Sequence, residues 1–318
     1  MIARANRPAL ALHPHVRPFN PWRDSVALAD LLESAFSESE LDESSHRLIQ
    51  RLRYYGAFDL LAFGQGAGFV WVEHGELLGN ASVQRNPTRG DTWIIGNVAT
   101  RADARNRGIG RAVVEACIQY AAQKGARYVA LQADVTNAPA IHLYDKLGFE
   151  RLVEVVHYLR PPVRAGAFDA SSALAHTRPA RWSDRSTVLA LAQHCIPEAS
   201  TYAEAFDSNV YRLGPRWSLV NALSGNVEAW HIAKDGNGAV RTRVNYEGSC
   251  HHIELLLDAE ADEEIARALL MRGLHRFTTF LSKPIYAAQI APTSVVHQAF
   301  LASGFRVLRT LAHMRLTL

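Results

Sequence analysis

Two closely spaced glycines at a predicted helix start are the first residues whose spacing suggests a chemical role. The sequence Arg105-Asn-Arg107-Gly108-Ile-Gly110-Arg111 leads from an apolar run at 93–100 into a long helical pattern at 108–124. Because glycine has no Cβ, the backbone N–H groups there can approach an anion closely. The free N–H groups of a first helical turn point toward such an anion, and the helix dipole adds about 0.3–1 kcal/mol. The neighbouring arginines add positive charge, so this turn predicts a diphosphate site.

The turn differs from two common phosphate-binding loops. A dinucleotide-binding loop has a third glycine where Val113 stands, and a P-loop has Gly-Lys followed by Ser or Thr, which is absent from the sequence. A Gly-x-Gly at a helix start also occurs as a packing turn, so a second motif is needed to decide.

The second motif follows one predicted strand later. It reads Asn137-Ala-Pro-Ala140-Ile-His-Leu-Tyr144-Asp-Lys-Leu-Gly148-Phe149. Together the two motifs resemble the GNAT superfamily of N-acetyltransferases, whose pattern is Arg/Gln-x-x-Gly-x-Gly/Ala followed by Asn-x-x-Ala-x-x-x-Tyr-x-x-x-Gly-Phe. Every position of both patterns is met, and the resemblance extends over residues 16–160.

The resemblance implies an enzyme that moves an acetyl group from acetyl-CoA to a small primary amine by direct attack. The turn at 105–111 would hold the diphosphate of coenzyme A, and the backbone of the preceding strand would pair with the pantetheine arm. Asn137 would hydrogen-bond that arm or the adjacent backbone, and Tyr144 would be the catalytic acid that protonates the departing thiolate. The implied coenzyme-binding residues are Val98, Thr100, Arg105, Arg107, Gly108, Ile109, Gly110, Arg111, Asn137 and Tyr144.

The chemistry of the reaction also requires a neutral amine. At pH 7 an amine with a pKa near 10 is only about 0.1% neutral, which costs about 4 kcal/mol unless a base assists. A glutamate on the strand before the turn is common in the family, but here that strand carries Asn97 and no carboxylate. Asp134, Glu73 and Glu76 remain open as bases, acting directly or through water.

The elements that must position these motifs can be predicted from hydrophobic periodicity. Strands that lead into strand–helix units predict an α/β or α+β fold, and the resemblance implies a mixed, mostly antiparallel sheet flanked by helices. In the first half the predicted strands are 16–19, 69–73, 77–84, 93–100, 128–133 and 151–159, and the predicted helices are 22–36, 45–55, 108–124 and 138–147.

The chain also repeats itself. His15-Val-Arg17-Pro18 followed by Trp22-Arg-Asp24 recurs as His176-Thr-Arg178-Pro179 followed by Trp182-Ser-Asp184. Near each half's end, Leu147-Gly148-Phe149 recurs as Ser303-Gly304-Phe305, and His157 matches His313. These echoes predict two tandem domains of the same kind: a catalytic domain at 1–160, an extended linker at 161–175 and a second domain at 176–318.

The second half has lost the motifs. The segment that matches the glycine turn is Ala261-Asp-Glu-Glu-Ile-Ala-Arg267, which has no glycine and three adjacent acids. These acids repel a diphosphate, and Phe300 stands where Tyr144 would be. We therefore expect a degenerate second domain that binds no coenzyme and completes or covers the acceptor cleft.

Composition limits the partners. The 318 residues carry a net charge of +3, which is too small to indicate nucleic acid as a partner. No apolar run approaches the roughly 18 residues of a membrane span, and three distant cysteines provide neither a disulfide framework nor a metal site. We expect a cytoplasmic protein that binds no metal and for which the internal pseudo-dimer makes a monomer plausible.

Two alternatives stay open at this point. One is a mycothiol-synthase-like acetyltransferase, which also resembles two fused domains of this kind, although its productive domain is the second. The other is a regulatory module that binds acyl-CoA without catalysis, which the missing strand carboxylate would suit. The acceptor and the length of the acyl group are not defined by the sequence.

Overall fold

The computed structural model describes residues 12–35, 66–163, 171–206, 208–211, 213, 226–246 and 248–318. The first half contributes β1 (Val16–Pro18), α1 (Pro21–Ala35), β2 (Gly66–Glu73), β3 (Glu76–Arg85), β4 (Thr92–Thr100), α2 (Ile109–Gln123), β5 (Tyr128–Asp134), α3 (Ala138–Lys146) and β6 (Glu150–Arg160). The second half contributes α4 (Ser171–His176), β7 (Thr177–Pro179), α5 (Arg185–Cys195), β8 (Asn226–Ala233), β9 (Gly238–Asn245), β10 (His251–Leu257), α6 (Glu263–Phe277), β11 (Ile285–Ile290), α7 (Ser294–Ala302) and β12 (Arg306–Thr317).

The predicted elements of the first half agree with these bounds to within a few residues. The predicted helix at 45–55 lies outside the described residues. The expected extended linker at 161–175 is corrected at its end, where α4 begins at Ser171, because Ser-Ser-Ala-Leu-Ala-His forms a helical turn and a half. Residues 164–170 of that segment also lie outside the described part of the chain.

The twelve strands of the described residues form one continuous, mostly antiparallel sheet in the order β1-β2-β3-β4-β5-β12-β6-β11-β10-β9-β8-β7. Two neighbouring pairs are parallel, β4 with β5 and β10 with β11. Each parallel pair is joined through a helix, α2 in the first half and α6 in the second, as parallel strands require. The architecture is therefore two copies of one α/β layout fused along a shared sheet.

The two halves exchange their last strands. Strand β5 pairs with β12, with Asp134 opposite Leu311, and β11 pairs with β6, with Ile290 opposite Val155. Both pairs have the same register once the halves are superimposed, so the exchange is symmetric. Strand β12 carries Met314 into the core under α2, and β6 carries Tyr158 into the core under α6.

The sequence repeat has a structural counterpart in a partly buried ion pair. Arg17 contacts Asp24 at 2.6 Å, and Arg178 contacts Asp184 at 2.7 Å. In each half the same carboxylate also accepts a hydrogen bond from a backbone N–H near the helix start. The hydrogen bond from Arg178 lowers the pKa of Asp184 to about 2. The same ion pair in both halves confirms that they are copies of one fold.

Candidate functional site

The first feature of the site is a gap in the sheet between β4 and β5. The parallel pairing runs from Thr92 opposite Tyr128 to Ile95 opposite Leu131 and then stops. Within the described chain, no strand pairs with the β5-facing side of β4 beyond that point. Val98 and Thr100 lie in this unpaired stretch, so an extended ligand can lie along their backbone.

A bulge turns β4 away from β5. Asn97 has a φ of 52°, a left-handed conformation that asparagine adopts more readily than most residues. The side chain of Asn80 donates to the Asn97 carbonyl at 2.9 Å, and the Asn97 side chain donates to Ser82 Oγ at 3.1 Å. These bonds hold the bulge that creates the gap. In the sequence, Asn97 stands out only because a carboxylate is missing from its strand.

The second feature is the N-terminus of α2, which lies next to the gap. Gly108 precedes the helix with a φ of 80°, and no side chain of the described residues caps the helix. Asn106 also has a positive φ, 63°, so consecutive N–H groups of the turn form a concave surface suited to an anion. A Cβ at Gly110 would lie 3.5 Å from Thr100 Oγ1 and 3.7 Å from Leu143 Cδ2, which shows that the turn, the end of β4 and α3 converge.

The arginines of the turn differ in their partners. Arg107 pairs with Glu73 at 2.6 Å and Arg111 with Glu115 at 2.8 Å. The exposed Arg105 makes no side-chain ion pair with any residue that the structure describes. Arg105 is therefore the arginine with the most freedom to contact a bound anion, a distinction the sequence did not provide.

Tyr144 lies on α3 in the core beneath the turn. It is 5% exposed and packs edge-on against Phe149, the aromatic residue of its own motif. Burial, with a smaller effect from Cys117, raises the pKa of Tyr144 to about 12. The hydroxyl therefore keeps its proton at neutral pH and can donate it. Cys117 is fully buried.

Asn137 performs the structural part of its predicted role. It is the N-cap of α3, and its Oδ1 accepts a hydrogen bond from the Ala140 N–H at 3.2 Å. Of the two expected partners, the pantetheine arm or the adjacent backbone, the structure shows the backbone. The motif spacing Asn-x-x-Ala is thus explained by helix capping.

The three carboxylates left open as bases have different surroundings. Glu73 is bound to Arg107, whose hydrogen bond lowers the pKa of Glu73. Glu76 accepts from Arg101 at 2.7 Å. Asp134 accepts from the N–H and Oγ1 of Thr136 through one oxygen, Oδ1. Asp134 also stands at the end of β5, beside the gap.

The second half differs at the equivalent helix. Helix α6 is capped by Asp262, whose carboxylate accepts from the Ile265 N–H at 2.9 Å. Glu263 and Glu264 occupy its first turn. A carboxylate of the protein thus already occupies the position that an anion would take, and Phe300 is fully buried, stacked on Tyr158.

The comparisons with known proteins agree with this geometry. Residues 26–149 match the model of the Acetyltransferase (GNAT) family. This match lies within the first half, and the chain as a whole has the fold of two GNAT-like domains. A GCN5-related N-acetyltransferase from Sphaerobacter thermophilus has a TM-score of 0.62 at 13% identity, with 96% of this chain and 97% of that chain covered. A tandem GNAT protein from the clavulanic acid biosynthesis pathway has a TM-score of 0.54 at 12% identity, covering 95% and 98%. At these identities the structures show the fold alone.

The curated sequence relatives are named mycothiol acetyltransferases. The one from Saccharomonospora viridis is 30% identical over 48% of this chain and 51% of its own length. The one from Rhodococcus opacus is 38% identical over 29% of this chain and 31% of its own. The chain thus spans about half or less of the length of these curated relatives.

Two further features bear on cofactors and membranes. No helix in the described segments is long and apolar enough to cross a membrane. Among the same residues, no group of three or more His, Cys, Asp or Glu side chains is placed to hold a metal ion.

Proposed function

We propose that this protein is an N-acetyltransferase that uses acetyl-CoA as co-substrate and has one coenzyme site, in its first half. The observation that carries the proposal is the uncapped N-terminus of α2 beside the unpaired end of β4. The two surfaces are adjacent, because Gly110 approaches Thr100. One provides N–H groups for a diphosphate, and the other provides a strand edge for a pantetheine arm.

The turn residues would bind rather than react. The N–H groups of Gly108, Ile109 and Gly110 would hydrogen-bond the diphosphate, and Arg105 would add a charge-assisted contact. Glu73 keeps Arg107 in place beside the turn. Val98 and Thr100 would offer their backbone groups to the arm that carries the thioester.

In the transfer, the amine nitrogen forms a bond to the acetyl carbon and the carbon–sulfur bond breaks. The amine loses one proton and the departing sulfur gains one, so no enzyme-bound acyl group is needed. Tyr144 would donate to the sulfur, since its raised pKa keeps the hydroxyl protonated. Burial also shields that hydrogen bond from water, which strengthens it.

Asp134 is the best placed of the three candidate bases. Leu131 and Ala133 belong to the core under α2 and α3, so Asp134, of opposite strand parity, faces the other side of the sheet. An amine approaching from that side would meet a carboxylate that has one oxygen without a hydrogen bond to Thr136.

The second half would cover this acceptor side. Ala130, on the same face as Asp134, packs against Tyr202 and Ala203 of the second half. Asn86 donates to the Thr201 carbonyl at 2.9 Å, and Arg89 contacts Glu198 at 3.1 Å. These contacts support the expectation that the second half helps to enclose the acceptor.

The test is calorimetric titration with acetyl-CoA. A Cβ at Gly110 makes only ordinary contacts, so Gly110→Ala should fold and retain binding at one site. Gly110→Glu should abolish binding, because its carboxylate would enter the anion site. The control is Gln123→Glu, which adds the same charge at the far end of α2 and should bind normally. Two binding sites, or binding by Gly110→Glu, would contradict the proposal.

A mycothiol-type acceptor is the second candidate, and the names of the sequence relatives favour it. The discriminating measurement is thiol release from acetyl-CoA with a panel of amines that includes mycothiol lacking its acetyl group. A preference for that compound over simple amino sugars supports the second candidate. Turnover with simple amines alone excludes it, and binding of acetyl-CoA without thiol release for any amine indicates a regulatory module.

A further inference from the structure

A cavity of about 440 Å³ lies where the two halves meet. Its floor includes Val155 and His157 of β6, together with their cross-strand neighbours Ile290 and Ala288 of β11. Its roof is the segment 196–206, which follows α5 in the chain. The volume is in the range of small-molecule pockets.

The floor of this cavity continues the face of the sheet that carries Asp134. Asp134 lies directly opposite Leu311, and Leu311 lies opposite Val155. Val155 in turn lies opposite Ile290. Directly opposite residues of antiparallel strands share one face of the sheet. Neighbouring strands are about 4.8 Å apart, so the cavity begins about 10 Å from Asp134 at Val155 and reaches about 14 Å at Ile290.

The roof of the cavity is attached to the first half. Tyr202 packs edge-on against Tyr128 of β5, and the Arg89 guanidinium lies 3.9 Å from the centre of the Tyr202 ring. Gln132 of β5, which also lines the cavity, contacts the Ala203 carbonyl at 3.4 Å. Both halves therefore build the walls of the cavity, on the side from which the acceptor would approach.

Gln289 is the group in this cavity that needs a ligand. It is 8% exposed, and its Nε2 is buried without a hydrogen-bond partner among the described residues. A buried amide donor in this state is unfavourable, and an acceptor oxygen of a ligand relieves the cost. Arg243 and Arg309 also line the cavity, and a guanidinium offers donors only. The lining therefore favours a ligand that carries oxygen acceptors.

The charged groups at the far end of the cavity are paired with one another. Glu254 accepts from the Tyr211 hydroxyl at 2.7 Å and lies 3.4 Å from Arg241. Arg241 in turn contacts Glu228 at 2.8 Å. Neither Glu254 nor Arg241 requires an ion from a ligand, so neutral oxygens suit this end of the cavity better than a charged group.

We propose that the cavity binds the part of the acceptor that does not react, and that the acceptor is an extended primary amine with neutral oxygens along its chain. With the amine at Asp134, the chain passes Val155, and an oxygen about 14 Å from the amine accepts from Gln289. This inference rests on the proposed function and extends it by giving the length and polarity of the acceptor.

The experiment compares primary amines that carry one, two, three or four ethylene glycol units. Each unit adds three bonds, or about 3.5 Å in an extended chain, so four units span about 14 Å. The kcat/KM for thiol release from acetyl-CoA should rise about tenfold or more from one unit to four, chiefly through KM.

Two variants test where the chain binds. Ala288→Trp adds a large side chain at an exposed position of the cavity floor and should remove the gain with length, while the one-unit amine reacts as before. Gln289→Met removes the donor at similar volume and should reduce the gain. Ala27→Trp, at an exposed position of α1, is the matched control and should retain the gain.

Calorimetric titration with the four-unit amine gives a readout that needs no turnover. The wild type should bind this amine at millimolar concentration, and Ala288→Trp should bind it about tenfold more weakly. Selective binding without thiol release would contradict the proposed function and support the cavity as the site of this ligand. Equal kcat/KM across the series, an unchanged gain in Ala288→Trp, or no binding by the wild type would overturn the inference.

Discussion

Gly108 and Asp262 are the N-cap residues of the helices α2 and α6, and only Asp262 caps its helix with its own side chain. Both helices have 15 residues and join the two parallel strands of their half. The N-terminus of α2 therefore has free N–H groups for a ligand, whereas the N-terminus of α6 is stabilised by its own side-chain cap.

The cap at Asp262 should be measurable as stability. Asp262→Ala should lower the free energy of unfolding by about 0.5–2 kcal/mol, because the Ile265 N–H loses its acceptor. The measurement is urea unfolding, with Asp262→Asn as the matched control that retains a capping oxygen. The variant should still bind no acetyl-CoA in the second half, since Glu263 and Glu264 remain; an added binding site would contradict this account.

Gly79 should be required for α2 to pack on the sheet. A Cβ at Gly79 would collide with Cγ2 of Ile109, the first residue of α2. Gly79→Ala should destabilise the protein by about 1–3 kcal/mol and weaken acetyl-CoA binding, because the anion-binding turn is displaced. Gly96→Ala is the control, since its Cβ would meet only Ser82 Oγ at 3.8 Å. Equal melting temperatures of the two variants would show that Ile109 moves aside without cost.

Tyr144→Phe tests the proton donor. We expect kcat to fall about 10²-fold or more, with the KM for acetyl-CoA nearly unchanged, because only the departing sulfur loses a contact. Since the pKa of Tyr144 is raised to about 12, the wild-type rate should show no alkaline decline from this group below about pH 10. Tyr120→Phe, in the same core, is the control. Full turnover by Tyr144→Phe would exclude the assignment.

His313 should make stability depend on pH. It is fully buried on β12, and burial lowers its pKa to about 4 from an unfolded value of 6.5. The unfolded chain therefore binds the proton more readily, so this stability is complete above pH 6.5 and is lost as the pH falls toward 4. The shift corresponds to about 3 kcal/mol at most.

The measurement is urea unfolding at several pH values between 4 and 7. His313→Gln should reduce the pH dependence in that window, whereas the exposed His142→Gln should not change it. His231 contributes in the same direction, since burial lowers its pKa to about 4, so the variant should reduce the dependence without removing it. An unchanged slope in His313→Gln would contradict the assignment.

Much of the first half could be predicted from its sequence. Hydrophobic periodicity and capping residues are local signals. They place α3 between Asn137 and Gly148, and Gly108 predicts the start of α2. The tandem repeat could also be predicted, because residues such as Arg178 and Asp184 match residues of the first half.

Long-range features were not predictable. Strands β6 and β12 have similar alternation, so the sequence does not distinguish pairing within a half from exchange between halves. The bulge at Asn97 depends on Asn80 and Ser82 of another strand.

The strand exchange makes the two halves mutually dependent for folding. The sheet of the first half is incomplete until residues 306–317 insert beside β5, although residues 161–305 separate them in the chain. Closing so long a loop is slow, and until then β5 presents an unpaired edge that can associate with other chains. A cut at the sequence boundary near 161–175 would therefore leave the first half without a strand of its own core, and the pair of halves, rather than either one, is the unit that folds.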